Sequence, residues 1–315
     1  IDGDLTVSNS AVFDINGQSA DVAGAWDDAG GTFQATGGTV TMSGSSKSIT
    51  TGGSNYFSGL TINSGGTVTA QSELDIDGAF TLSGGTFDIN GQNADVAGNW
   101  SDASGTFQAG GGTVTLSGGN SDITTGGSNY FFNLEINSTG TKTATSNLDI
   151  NGVFTLTAGI FDAGSTSIDI VGNWDDSGNN GGFTPSAGTV TLSGAGSNIT
   201  TGSNNNFFNL VINSSGTKSA LSELDINGDL TVSSGELAMG ANNADVASSK
   251  TVDCDGTISL STGIFTANGP SDFTNGTLSI SSTGTYDADN TFTAASGFVT
   301  FTGAGFLKCN NTVSD

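Results

Sequence analysis

The stretch GTFQAGGGTVTLSGGNSDITTGGSNYFFNLEINSTGTKTA, Gly105 to Ala144, decides how the rest of the chain reads. It is almost all glycine, threonine, serine and asparagine, with an apolar residue dropped into every second place. Alternation of period two, β-branched residues, and breaks at Gly, Asn or Asp predict short half-buried strands joined by turns. Nearly the same words stand at Gly31 to Ala70 and at Gly182 to Ala220.

Working outward, Trp26, Trp100 and Trp174 are the only tryptophans, and their even spacing sets a 74-residue repeat. Phe33 and Phe107, Phe57 and Phe131, and Leu74 and Leu148 obey the same offset. Two extra residues in SGNNGGF stretch the next copy to 76. Inside each unit a shorter phrase recurs, as in LTINSGGTV at Leu60, FTLSGGTF at Phe80 and FQAGGGTV at Phe107. Its first apolar residue falls at Leu5, Phe33, Leu60, Phe80, Phe107, Leu134, Phe154, Phe183, Leu210, Leu230, Ile258 and Leu278. Through the regular repeats two longer steps alternate with one short step, such as that from Leu60 to Phe80. Each step holds about three short strands with their turns, one rung of a solenoid. No segment carries a helical period with caps, and glycine costs a helix about 1 kcal/mol per residue. The expected fold is therefore all-β: a right-handed parallel β-solenoid, or β-helix, with about three rungs per 74-residue repeat and about thirteen rungs in all. Like residues are expected to stack, Phe on Phe and Leu on Leu. A string of small sandwiches fits less well, because the phrase runs through every unit boundary where linkers would stand.

Residues 1–250 hold the regular repeats and residues 251–315 drift from them, Lys250 standing where tryptophan would fall. The buried structural positions are expected to be Trp26, Trp100, Trp174, Phe80, Phe107, Phe131, Phe154, Phe183 and Phe207. Cys254 and Cys309 are the only cysteines, compatible either with one disulfide closing the drifted segment or with two buried thiols.

Five lysines, no arginine and no histidine against thirty acidic residues set a net charge of −25. Such a chain cannot grip phosphates, which argues against nucleic acid and anionic membranes as partners. No run of eighteen apolar residues predicts membrane insertion. A β-helix enzyme acting on polysaccharide would use basic groups or paired carboxylates. The carboxylates here mostly recur with the repeat, as structural positions do, so no enzyme is expected. Asp253, Asp255, Asp272, Asp287 and Asp289 in the drifted segment would be the best material for one. DING at Asp14, Asp88, Asp149 and Asp225, DIDG at Asp75, and WDD at Asp27–Asp28 and Asp175–Asp176 raise calcium as a cofactor. The competing reading is an outward Asp beside a turn. No other cofactor is expected. Paired threonines (Thr39/Thr41, Thr67/Thr69, Thr113/Thr115, Thr141/Thr143, Thr189/Thr191) resemble the T-x-T arrays of ice-binding solenoids, with Lys142 and Lys218 interrupting them. The three tryptophans could form a sugar-stacking row about 14 Å apart, or fill buried corners. Sequons at Asn137 and Asn213 admit glycans.

The phrases FFNLEINSTGTKTATSNLDINGVFTL (Phe131–Leu156) and GTVTLSG resemble the repeats of large secreted bacterial and some archaeal surface proteins, the adhesin-like or autotransporter-like β-solenoids. The resemblance covers nearly all of residues 1–292 and specifies architecture rather than activity. NPNG-type secretion motifs and a terminal membrane barrel are missing. The resemblance implies a secreted, protease-resistant, calcium-tolerant surface rod and brings no catalytic residue. Writing NNTVSD before IDGDLTVS keeps the phrase in register, since the step from Phe292 across the join to Leu5 equals the step from Leu5 to Phe33. The expectation is a structural subunit or segment of an extracellular filament, stalk or sheath at the cell surface. It would join head to tail with its own kind, or continue a longer repeat chain, through open strand edges. An adhesin presenting a ligand-binding face is the second reading, and a polysaccharide-active enzyme the third.

Overall fold

The computed structural model describes residues 1–178 and 182–310, and the backbone of 313–314. The middle of the SGNNGGF insertion lies outside the described residues. Among those described, the regular elements are all strands, stacked in parallel as the coils of a β-solenoid of about 15 turns. The chain divides into two compact units, Ile1–Gly152 with Thr157–Phe161, and Val153–Leu156 with Asp162–Asp315.

In the first unit each turn has three walls. One is the ladder Val40, Leu60, Phe80, Trp100, Ile123 and Ala144. A second runs Leu5, Trp26, Ile49, Ala70, with Val68, Phe87 and Phe107 alongside. The third runs Leu74, Ala94, Val114, Leu134. All these side chains point inward and are buried, as period two requires when one face meets the core. In the second unit the ladders are Phe154, Trp174, Ile199, Ala220; Ile168, Val190, Leu210, Leu230, Val252, Ser271, Phe292; and Leu224, Ala244, Phe265, Tyr286, Leu307. Residues 251–310 of the drifted segment thus continue the walls of their own unit.

Ladder partners such as Leu5 and Trp26, Phe80 and Trp100, or Val252 and Ser271 show how much chain one turn takes, and they refine the expected rung. Leu60 to Phe80 is one full turn. Phe80 to Phe107 is not, because Phe107 lies on Phe87 and Phe80 lies under Trp100. The short step of the phrase is one turn, and the longer step is one turn and a third. A 74-residue repeat therefore spans about three and two-thirds turns, and the chain makes about 15 turns rather than about thirteen.

Two expectations change with that phase. Like stacks on like in part of the core, Phe13 on Phe33, Phe87 on Phe107 and Leu210 on Leu230, but the first ladder runs Leu60, Phe80, Trp100, Ile123 and Ala144, because a non-integral repeat brings residues opposite different words. Side chains along this column swell from Val40 to Trp100 and shrink again to Ala144, so the neighbouring walls must compensate to keep the core close-packed. Trp26 and Trp100 lie on different walls of the first unit. In the second unit Trp174 lies on one wall and the next copy's equivalent on another. No tryptophan row forms. That equivalent is Val252, not Lys250. Two more residues in the corner, with Ser249 at φ 64, shift the register. Lys250 instead sets its Nζ 5.3 Å from the Phe208 ring centroid.

Corners are cut by glycine where another coil comes too close for a side chain. A Cβ on Gly78 would stand 1.8 Å from the Ser58 carbonyl oxygen. Elsewhere the corner needs left-handed backbone, as at Asn90–Gly91, with φ 53 and 73.

Cys254 and Cys309 are free thiols, the first buried and the second half-buried. Cys309 sits on Ala288, Ala288 on Ala267, and Ala267 on Val246. Val246 belongs to the same turn as Cys254. The two cysteines are thus three rungs apart, about 14 Å, on different walls, whereas a disulfide needs Cα atoms within about 7 Å.

Candidate functional site

All nine anticipated aromatic positions are buried, from Trp26 at 0% to Phe183 at 3% exposure. The tryptophans organise a corner that recurs three times. Trp26 Nε1 donates to Asp28 Oδ2 at 2.8 Å, Gly52 N donates to Asp28 Oδ1 at 2.8 Å, and Asn55 Nδ2 donates to the Asp28 carbonyl and Oδ1. Asn55 Oδ1 accepts from Phe33 N, and the Trp26 and Phe33 rings meet edge to face at 4.6 Å. Trp100, Asp102, Gly126, Asn129 and Phe107 repeat the arrangement, the Trp100 bond being 3.1 Å. In the third copy Gly202 N and Asn205 Nδ2 still bond Asp176, but Trp174 Nε1 and Asp176 Oδ2 lack hydrogen-bond partners. Burial pushes the Asp102 carboxyl up from its ordinary value, and pushes Asp176 up to about 6. The N–H donors oppose the shift without cancelling it. These corners satisfy buried backbone groups where a wall turns, and their aspartates are out of reach of solvent.

Two lysines are wholly buried. Lys142 Nζ donates to Ser121 Oγ at 2.7 Å and to the Ala97 carbonyl at 2.9 Å, one and two turns back. Lys218 donates to Ser197 Oγ at 2.7 Å and to the Val171 carbonyl at 3.3 Å. Burial lowers both ammonium groups to about 8, Asp95 and Asp169 respectively resisting. They point inward, so they do not interrupt an outward threonine array. The threonine pairs themselves flank Val40, Val68 and Val114, which lie on three different walls of the first unit. No flat T-x-T face exists there.

The DxxG phrases split into two kinds. Asp14 and Asp88 cap turns, each Oδ1 accepting the N–H two residues on, from Asn16 and Asn90, at 2.7 Å. The first aspartates of WDD do the same, Asp27 for Ala29 N and Asp175 for Ser177 N. Asp75, Asp149 and Asp225 instead stand on strands, their carbonyls accepting from Phe57, Phe131 and Phe207 N. Asp75 and Asp225 lie one rung from Asp95 and Asp245. Beside each lies an acidic cleft. One, of about 220 Å³, is lined by Gly52, Asn55, Glu73, Asp75 and Asp95. Its counterpart, of about 180 Å³, is lined by Gly202, Asn205, Ser222, Glu223 and Asp225. Burial, then repulsion from Asp77, Asp95 and Glu73, raises the Asp75 carboxyl; burial and Asp245 raise Asp225. In the middle copy Asn147 replaces the glutamate. Among the described residues no group of three or more His, Cys, Asp or Glu side chains is arranged to hold a metal ion.

The five carboxylates of the drifted segment do not converge. Asp253 lies on Asp272 in one ladder, with Asp255 close enough to help raise the Asp253 carboxyl, which burial raises most. Asp287 stands on another wall, paired with Lys308 at 2.7 Å, and Asp289 accepts from Asn310. Asn137 and Asn213 are exposed, Asn213 accepting from Ser234 Oγ.

The corner asparagines and the buried lysines are the residues that sequence reasoning passed over. The signal for the first was present in SNYF, SNYF and NNNF, which begin at Ser54, Ser128 and Asn204, a near-constant distance past Trp26, Trp100 and Trp174. The signal for the second was the repeat: GTVTA at Gly66, GTKTA at Gly140 and GTKSA at Gly216 set Lys142 and Lys218 where the first copy has the inward Val68.

Fold and corners define the class: a repetitive parallel β-solenoid with a ladder-built core. Comparison with family models, curated proteins and solved structures finds no match.

Proposed function

We propose that the chain is a structural segment of an extracellular filament, stalk or sheath, joining its own kind through open coil edges. One observation carries the reading. Because the repeat spans a non-integral number of turns, its outward residues are dealt in succession to different walls of each unit. Repeated surface words cannot then build one recognition face, as an adhesin or a lattice-binding protein needs. They coat all sides alike. A high negative charge distributed in this way keeps neighbouring bodies soluble and apart.

Electron microscopy of the purified chain over a concentration series tests this. Filaments with an axial reflection near 4.8 Å are expected, about the spacing of adjacent strands. Particles that stay monomeric throughout, and that bind a surface through one wall only, would overturn the reading in favour of an adhesin.

A further inference from the structure

Going beyond how the chain assembles, we propose that the solenoid carries built-in proton sites through which acid tightens its coils. At each, two stacked aspartates take up one proton and share it across the ladder: Asp75 with Asp95, Asp225 with Asp245, and Asp253 with Asp272.

Ladder register sets the pairs, each in one outward column of one compact unit. Adjacent coils are about 4.8 Å apart, and like charges directly across a ladder oppose pairing. The two members of each pair are unequal. Ser117 Oγ donates to Asp95, Asn268 Nδ2 to Asp245 at 2.6 Å, and Thr274 N and Oγ1 to Asp272 at 2.8 and 2.5 Å. Among the described residues no hydrogen-bond donor serves the carboxylate of Asp75, Asp225 or Asp253. The same asymmetry thus arises in DIDG, in DING and in the unrelated VDCD of the drifted segment.

The surroundings add acid rather than base. Asp75 has Glu73 and Asp77 beside it, Asp95 above and Tyr56 on the coil below. Asp95 faces Thr115 beyond, and its charge is felt by the buried Lys142 ammonium. Asp225 has Glu223 beside it in the same cleft, Asp245 above and Asn206 below, with Thr266 beyond Asp245. Asp253 has Asp255 beside it, Asp272 above and Thr231 below, with Thr293 beyond Asp272. Burial first, and these acidic neighbours second, hold the three bare carboxyls above the ordinary value of 3.8. The folded state therefore binds more protons than the unfolded chain just above that value, so stability is gained as pH falls toward about 4 and lost as it rises. A proton from solvent adds to the bare member, whose O–H then donates to the carboxylate of its partner. Repulsion between two coils becomes a hydrogen bond between them.

The test is NMR on the full chain, reading amide exchange at pH 7 and pH 5, corrected for intrinsic rates, and the titration of aspartate carboxyl carbons. Leu74 N and Ala97 N bond across the first step, to the Asn93 and Ile76 carbonyls, and Leu224 N and Ala247 N across the second, to those of Asn243 and Ile226. Val40 N, bonded to the Gly59 carbonyl beside the uncharged step of Thr41 on Thr61, is the control for general loss of charge. From pH 7 to pH 5, protection at the first four should rise about threefold more than at Val40. Asp75→Asn should remove that excess at Leu74 and Ala97 and leave it at Leu224 and Ala247. Asp95→Asn should move the Asp75 midpoint down, the share due to burial remaining. Both variants replace an outward carboxylate by its isostere. Protection that rises equally at all five amides would reduce the effect to net charge and overturn the proposal. So would an Asp75 midpoint that ignores Asp95→Asn, since the two carboxyls would then titrate independently.

Discussion

At the scale of single residues, the Trp–Asp–Asn corner shows what a thin core demands. A single coil has little apolar surface, so each corner must satisfy its backbone with side chains rather than water. Asn129 Oδ1 takes the Phe107 N–H while its Nδ2 serves the Asp102 and Gly105 carbonyls. Asn129→Ala should cost roughly 1–3 kcal/mol in denaturant unfolding, the penalty of leaving such groups unpaired. Asp176 predicts a pH effect. Its folded carboxyl lies at about 6, above the unfolded value of 3.8, so the folded state binds more protons between those values. The buried charge opposes folding in full above about pH 7, and that cost is relieved as pH falls toward about 4. Between pH 7 and 5 the wild type should gain about 1 kcal/mol relative to Asp176→Asn. The comparison matters, because acidification also relieves the general repulsion of a −25 chain in both proteins. Parallel pH profiles for the two would refute this account.

At the scale of a strand, Lys142 and Lys218 bind three successive turns into one piece. Their signs run the other way. The folded ammonium titrates at about 8, below its unfolded 10.5, so the buried charge opposes folding at neutral pH and that cost is relieved as pH rises. Lys142→Met should therefore flatten the gain between pH 8 and 9, measured as the difference in chemical denaturation between wild type and variant. Above pH 9 an opposing contribution enters. Burial pushes the Cys254 thiol up to about 12, so the stability it confers is lost as pH rises beyond the unfolded 9.0. The thiol loss offsets part of the lysine gain, which continues toward pH 10.5.

At the scale of the whole molecule, the phase between repeat and turn governs what the surface can be. It is directly measurable. Cysteines placed at Thr61 and Thr81, ladder neighbours one turn apart, should cross-link on oxidation, since about 4.8 Å falls within disulfide reach. Cysteines at Thr81 and Gln108, separated by one longer step of the phrase, lie on different walls and should not. The reverse outcome would restore the longer step as the rung, and with it a face built of like residues.

Much of this is legible in the sequence. Period-two alternation, the 74-residue recurrence and the density of glycine determined an all-β, parallel, coil-on-coil fold, and placed Trp26, Trp100, Trp174 and six phenylalanines inside it. These are local properties: a strand's pattern and a corner's backbone depend on residues adjacent in sequence. Which residue lies above which is not local. The offset between coils is settled by how much chain each corner consumes, and the corner before Val252 consumes two residues more than the one before Trp100. Only the tertiary structure could decide that each repeat overruns three turns by two-thirds, which residue each ladder sets upon which, that Cys254 and Cys309 stand three rungs apart, and that two inward lysines find their bonds on neighbouring coils. Each depends on ladder register, an interaction between residues a full coil apart whose free energy outweighs the preferences of either one alone.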